Sequence, residues 1–142
     1  MKCIFQARFP STKRAAAQAR RTFIGRIAAL GYASEDLADI ETAVGEALAN
    51  AAEHGHSRNG FDIRAYVDDQ HVVIEVKDDG AGFAGSLEAI GKLPPSDAPR
   101  GFGIYLMRQL MDAIEYEERG NYVRLKKRLP AAGAMTDESA AG

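Results

Sequence analysis

Thr42-Ala43-Val44-Gly45-Glu46-Ala47-Leu48-Ala49-Asn50-Ala51-Ala52-Glu53-His54 is the stretch on which the reading of this chain turns. The spacing predicts one helix with two faces. Leu37, Ile40, Val44, Leu48 and Ala51 recur at intervals of three and four, the stripe of a helix that buries one side. Glu46, Asn50 and His54 are each four apart, so a carboxylate, a carboxamide and an imidazole stack along a second face. An acid and an amide one turn apart suit a proton acceptor and an oxygen ligand for a hard cation, because an amide oxygen ligates without adding charge. Taken alone, the pattern reads first as a solvated polar face.

Ser34 reads as the N-cap of this helix, with Glu35 and Asp36 in the first turn where the dipole favours acids, and the helix is expected to end near Gly55. Gly45 inside it costs about 1 kcal/mol relative to alanine, which points to close approach by a ligand or a neighbouring element. Upstream, Lys2 to Phe9 alternates loosely and reads as an edge strand closed by Pro10 and Ser11. Thr12 to Leu30 carries Ala16, Ala19, Phe23, Ile27 and Leu30 at helical spacing, with Gly31 as its stop. Arg14, Arg20, Arg21 and Arg26 fall on the remaining surface, as a solvated face or a dock for an acidic partner.

Downstream, Ser57 to Gly60 is a polar turn. Phe61, Ile63, Ala65 and Val67 alternate with polar residues, and Asp68-Asp69-Gln70 turns the chain into Val72 to Val76, an antiparallel hairpin. That second strand runs into Lys77-Asp78-Asp79-Gly80-Ala81-Gly82-Phe83, where two glycines admit a ligand close to the backbone or make an ordinary tight turn. Residues 84 to 100 hold Leu87 and Ile90 at helical spacing and then the breaker-rich Pro94-Pro95-Ser96-Asp97-Ala98-Pro99, expected to be a mobile loop. Arg100-Gly101-Phe102-Gly103 opens an amphipathic helix through Asp112, and the N–H groups at such a start can hold phosphate oxygens. Ile114 to Tyr116 and Tyr122 to Leu129 form a second hairpin around Gly120-Asn121.

Composition narrows the function classes. A length of 142 residues with 46% hydrophobic content fits one domain, expected over residues 1–130, with a disordered Ala/Gly/Ser-rich tail at 131–142. Net charge −2 gives no basic field for direct nucleic-acid binding, and no aromatic-basic interleaving is expected. Cys3 is the single cysteine, so neither an internal disulfide framework nor a thiolate zinc cluster is available. With no signal-peptide pattern and no 18-residue apolar run, the expectation is a cytoplasmic protein without a membrane span.

Three motifs thus follow in order: an acid-amide helix, a strand into D-x-G-x-G, and G-x-G into a helix. Together they resemble the Bergerat (GHKL) ATP-binding fold of histidine kinases, gyrase-type topoisomerases and Hsp90-type chaperones, over nearly all of residues 1 to 129. The run from Glu46 to Gly55, with Arg100-Gly101-Phe102-Gly103 and Leu110-Met111-Asp112, is similar to the anti-sigma-factor serine/threonine kinases of bacterial partner-switching systems. The resemblance implies an α/β fold, an α+β two-layer sandwich, with a mixed, mostly antiparallel sheet covered on one face by helices. It also implies ATP and Mg²⁺ as cofactors. Asn50 would ligate the Mg²⁺ and Glu46 would be the catalytic base, while Asp78 would accept the adenine amine and Gly80 and Gly82 would shape the pocket. Gly101 and Gly103, with Phe102 between them, would bring backbone amides to the phosphates, and Arg100 would add charge there. His54 matches the family pattern and reads as a helix-end cap or packing residue.

Relatives of other kinds fit less well. The 45 residues before Glu46 hold no histidine to serve as a phosphoacceptor, and only a short stretch follows the last expected strand. The 19 positions from Gly82 to Gly101 resemble the brief lid of the anti-sigma kinases, although the double proline departs from it. The implied activity is transfer of a phosphoryl group to a STAS-domain antagonist, alternating with sequestration of a sigma factor or another regulator. A binding module that uses ATP without transferring phosphate is the alternative. Family resemblance further implies a homodimer through the first strand and helix.

Overall fold

The computed structural model describes residues 1–54, 60–78, 102–117 and 122–130, with the side chains at 53, 54, 102 and 103 excepted. The expected glycine segment with Gly80 and Gly82, the proline-rich stretch through Arg100 and Gly101, the Gly120-Asn121 turn and the tail at 131–142 lie outside these residues.

Strand β1 spans Lys2–Phe9 and helix α1 Lys13–Ala28. Thr12 caps α1, its hydroxyl accepting the Ala15 N–H at 3.0 Å, so one of the four orphan donors of the first turn is satisfied. The helix buries Ala15, Ala16, Ala19, Phe23 and Ile27, the expected stripe, and Gly31 follows with φ +90°. Helix α2 covers Ser34–His54. Its first bond runs from the Leu37 N–H to the Ala33 carbonyl at 2.9 Å, so Ala33 occupies the cap and Ser34 is the first helical residue, a correction of one position.

A hairpin of β2 (Phe61–Val67) and β3 (His71–Asp78) comes next. Asp68 closes its turn, one carboxylate oxygen accepting the N–H groups of Gln70 and His71 at 2.8 and 2.7 Å. Helix α3 (Phe102–Leu110) then leads into β4 (Ala113–Tyr116) and β5 (Tyr122–Arg128). The strand order is β1-β2-β3-β5-β4, and among the described residues all four pairings are antiparallel, so the sheet is antiparallel throughout rather than mixed.

The helices cover one face of this sheet, giving the expected α+β two-layer sandwich. Register decides which residues face them. Phe5, Ala7 and Phe9 align with Ala65, Ile63 and Phe61, and these with Ile74, Val76 and Asp78, because side chains on one face recur every second residue. Against this surface α2 lays Ile40, Val44 and Leu48, all fully buried. Each such aliphatic side chain stabilises the fold by roughly 1.5–3 kcal/mol of apolar transfer. Ile104, Met107 and Met111 carry the core across to α3. Tyr32 ties the last strand to this layer, its hydroxyl donating to the Arg128 carbonyl at 2.8 Å. Among the described residues no helix is long and apolar enough to cross a membrane.

Candidate functional site

Helix α2 lies between the other two described helices, and its rotation sets the site. Gly45 and Ala49 face α1 across a shallow hollow of about 150 Å³ whose other lining residues are Lys13, Ala16, Ala17 and Arg20. At about 100° per residue, Asn50 falls on the opposite edge beside Ala43 and Ala47, with Glu46 one turn before it. That edge is the one α3 packs against. Ala43 and Ala47 are buried there, and their small size lets the two helix backbones approach. Glu46 and Asn50 are half-buried, neither free in solvent nor sealed in the core.

Asp78 ends β3 on the helix-facing side of the sheet, opposite Phe61, whose ring stacks on Phe9 at 5.9 Å between centroids. It is 4% exposed, the one buried carboxylate among the described residues. A carboxylate buried this deeply is retained where other groups interact with it, as they do with Asp78. Glu46 and Asn50 on α2 and Asp78 on β3 thus lie on the helix side of the sheet, and α3, which packs on α2, begins at Phe102. Gly80, Gly82, Arg100 and Gly101 lie outside the described residues.

Gly45 has a local explanation. A Cβ there would lie 2.9 Å from Arg20 Cδ and 3.3 Å from its Nη1, so the close neighbour of this glycine is the Arg20 side chain. Sequence reading placed Arg20 on a generic basic face; the small residues Ala16 and Ala49 at helical spacing were the available signal.

Among the described residues no group of three or more His, Cys, Asp or Glu side chains forms a metal cage. Mg²⁺ carried on a nucleotide keeps phosphate and water oxygens around it, so a single protein oxygen, such as the amide oxygen of Asn50, would be enough to hold it.

The family model described as the histidine kinase-like ATPase domain matches residues 9–127. The anti-sigma F factor of Heyndrickxia coagulans is 33% identical over 147 aligned positions, which cover 95% of this chain and 99% of that protein. The anti-sigma F factor of Thermoanaerobacter sp. (strain X514) is 33% identical over 116, covering 75% and 81%. Among solved structures, the RsbU and RsbW domains of a Mycobacterium tuberculosis protein superpose with a TM-score of 0.66 at 23% identity, over 89% of this chain. The chain spans 33% of that structure's length, and at this identity the likeness speaks to the fold alone. A family match from Phe9 to Lys127, sequence likeness across whole anti-sigma F factors and a two-layer α+β fold agree: this chain belongs to the histidine kinase-like ATPase family, on its RsbW/SpoIIAB-like anti-sigma-factor branch.

Proposed function

We propose that this chain is an ATP-dependent serine/threonine protein kinase of a partner-switching system. It phosphorylates a STAS-domain antagonist and, in the other state of the switch, sequesters a sigma factor or a comparable regulator. The observation that carries this reading is the burial of Asp78 under the helix layer, on the side where α2 turns Glu46 and Asn50 toward α3. In this reading Asp78 accepts a hydrogen bond from the adenine exocyclic amine, and its loss costs about 1–3 kcal/mol of binding because a buried partner is left unpaired. Asn50 offers its amide oxygen to Mg²⁺. When bound, the cation neutralises charge on the phosphates, and phosphoryl transfer otherwise demands positioning more than covalent chemistry. Glu46 orients the incoming serine or threonine hydroxyl and takes its proton. Gly80 and Gly82 shape the nucleotide pocket. Gly101, Phe102 and Gly103 bring backbone N–H groups to the β- and γ-phosphates, with Arg100 adding charge.

The anti-sigma F factors that resemble the chain along most of their length support the regulatory half of the proposal. A homodimer and a cytoplasmic location complete it. Calorimetric titration with Mg·ATP tests the site: wild-type protein binds, and Asp78→Asn weakens binding about tenfold or more. Incubation with Mg·ATP and a STAS protein encoded beside it tests the activity, a phosphoprotein being the expected product. With Glu46→Ala, a kinase keeps ATP and both partners yet never releases the antagonist. Unaltered switching by that variant would instead establish a binding module without transfer chemistry.

A further inference from the structure

Among the described residues, the face of the sheet opposite the helices is left uncovered and forms a surface of its own. Register places Arg8, Arg64, Lys77, Arg124, Lys126 and Arg128 on it. At the same strand positions stand three carboxylates, Asp62, Glu75 and Glu115, of which Asp62 pairs with Arg8 and Glu115 with Arg124 and Lys126, so these strand positions carry a surplus of three positive charges in a chain whose net charge is −2, with the Asp68 carboxylate acting on Lys126 at their edge. Two tyrosines interleave with them: Tyr66 aligns across from Val73, and Tyr122, whose hydroxyl donates to Glu75, aligns with Lys77. Val73 is only 1% exposed although it points away from the helices, so the rings and long stems of its neighbours cover it and give the face an apolar centre. Beside it lies a hollow of about 380 Å³ lined by Gln6, Asp62, Arg64, Glu75, Lys77 and Tyr122. Among the described residues the Nε of Arg124 is buried with no acceptor.

We infer that this open sheet face docks an acidic protein surface, as a second interaction site on the side of the sheet opposite the nucleotide site. Tyrosine and arginine around a desolvated centre are the residues that concentrate binding energy at protein interfaces. Charge selects the partner. A second copy of this chain meeting face to face would set a positive surplus against the same surplus, which disfavours a symmetric dimer here. A nucleic-acid strand would find Asp62, Glu75 and Glu115 among its phosphate contacts, whereas an acidic protein with a few basic residues answers both signs of the mosaic. Five strands at about 4.8 Å spacing and about seven residues of length give roughly 550 Å² per partner, the size of a transient contact.

Fluorescence anisotropy with labelled poly-L-glutamate, on the full chain, tests the proposal. Arg64 and Lys77 are exposed, so Arg64→Glu/Lys77→Glu should fold as wild type and weaken binding about tenfold or more. The neutral pair Arg64→Gln/Lys77→Gln should weaken it less and covers the case in which the reversal pair misfolds. Lys13→Glu/Arg21→Glu, on the basic helix α1, should stay within about twofold of wild type. Loss with the α1 pair alone would overturn the proposal. So would oligo-uridine binding that the sheet variants abolish while poly-glutamate does not bind, or sedimentation showing a dimer that the sheet variants dissociate. Mg·ATP titration of the same variants should match wild type, so failure here and failure of the nucleotide reading are separable.

Discussion

Replacing Gly60 with alanine should destabilise this fold more than any other single methyl group added at a described glycine with measured surroundings. Gly60 is buried at the entrance to β2 with φ +80°, a conformation that costs an L-residue roughly 1–2 kcal/mol. The added Cβ would lie 2.1 Å from the Phe9 carbonyl oxygen and 3.0 Å from its carbon, both backbone atoms of β1 that no rotamer change can remove. Carbon and oxygen do not pack closer than about 3.3 Å, so β1 must give by more than about 1 Å, an overpacking cost of roughly 1–3 kcal/mol. The sum is about 2–5 kcal/mol, or a fall of some 10 °C in Tm at this chain length. Two glycines serve as controls. A Cβ at Gly25, in α1, meets nothing within 4 Å, so Gly25→Ala should stabilise by about 0.5–1 kcal/mol. At Gly45 the same helix gain is offset by pushing Arg20 aside, and the change should stay within about 1 kcal/mol. Urea unfolding followed by circular dichroism measures all three. A loss below about 1 kcal/mol at Gly60, or destabilisation at Gly25, would refute the reasoning.

Alkaline pH should weaken the fold through two tyrosines. Burial, with Glu75 beside it, pushes the Tyr122 hydroxyl up to about 12, and burial with the Asp112 and Asp36 carboxylates pushes Tyr32 up as well. Both pKa values are raised above the unfolded 10.0, so the stability they contribute is whole below pH 10 and is lost as pH rises toward 12 and beyond; spectrophotometric titration should show two tyrosines ionising late. Tyr32→Phe removes the bond to the Arg128 carbonyl and should cost about 1 kcal/mol in urea unfolding. Asp68→Ala should speed amide hydrogen exchange at Gln70 and His71. The same two backbone bonds hold the Asp68 carboxyl below its ordinary pKa, so acid should loosen the turn only as pH falls through that lowered value.

What the sequence made legible was local or periodic. The stripe from Leu37 to Ala51 needs only the helix repeat, and Ile40, Val44 and Leu48 are buried as it requires. The hairpin of β2 and β3 needs only alternation and the Asp68 turn. The loose alternation of β1 has its cause in a register shift between Cys3 and Phe5, which inserts Ile4 as an extra residue. No linear pattern announces such a bulge. The neighbour of Gly45 was equally hidden, because glycine admits a ligand and an arginine stem alike. At the candidate site the residue types were legible one by one, whereas the burial of Asp78 and the side of α2 that α3 packs against depend on tertiary contacts. The aromatic-basic face was missed for the same reason: Tyr66 and Tyr122 stand far apart in sequence, and only the pairing of β2, β3 and β5 sets them among one group of cations.

Strand β3 sharpens that last point, since its period of two divides consecutive residues between opposite surfaces. Lys77 looks out onto the open face while Asp78 looks into the helix layer. A sheet paired on both sides of β3 resists sliding, because a slip by one residue would send Asp78 outward and bring Lys77 into the core. Substitutions at the two positions should therefore separate cleanly: Lys77→Glu alters association with acidic polypeptides and leaves Mg·ATP affinity at its wild-type value, and Asp78→Asn does the reverse. A Lys77→Glu protein with weakened ATP binding and an intact fold would show that the two faces of the sheet are energetically coupled, and the division of roles between them would have to be abandoned.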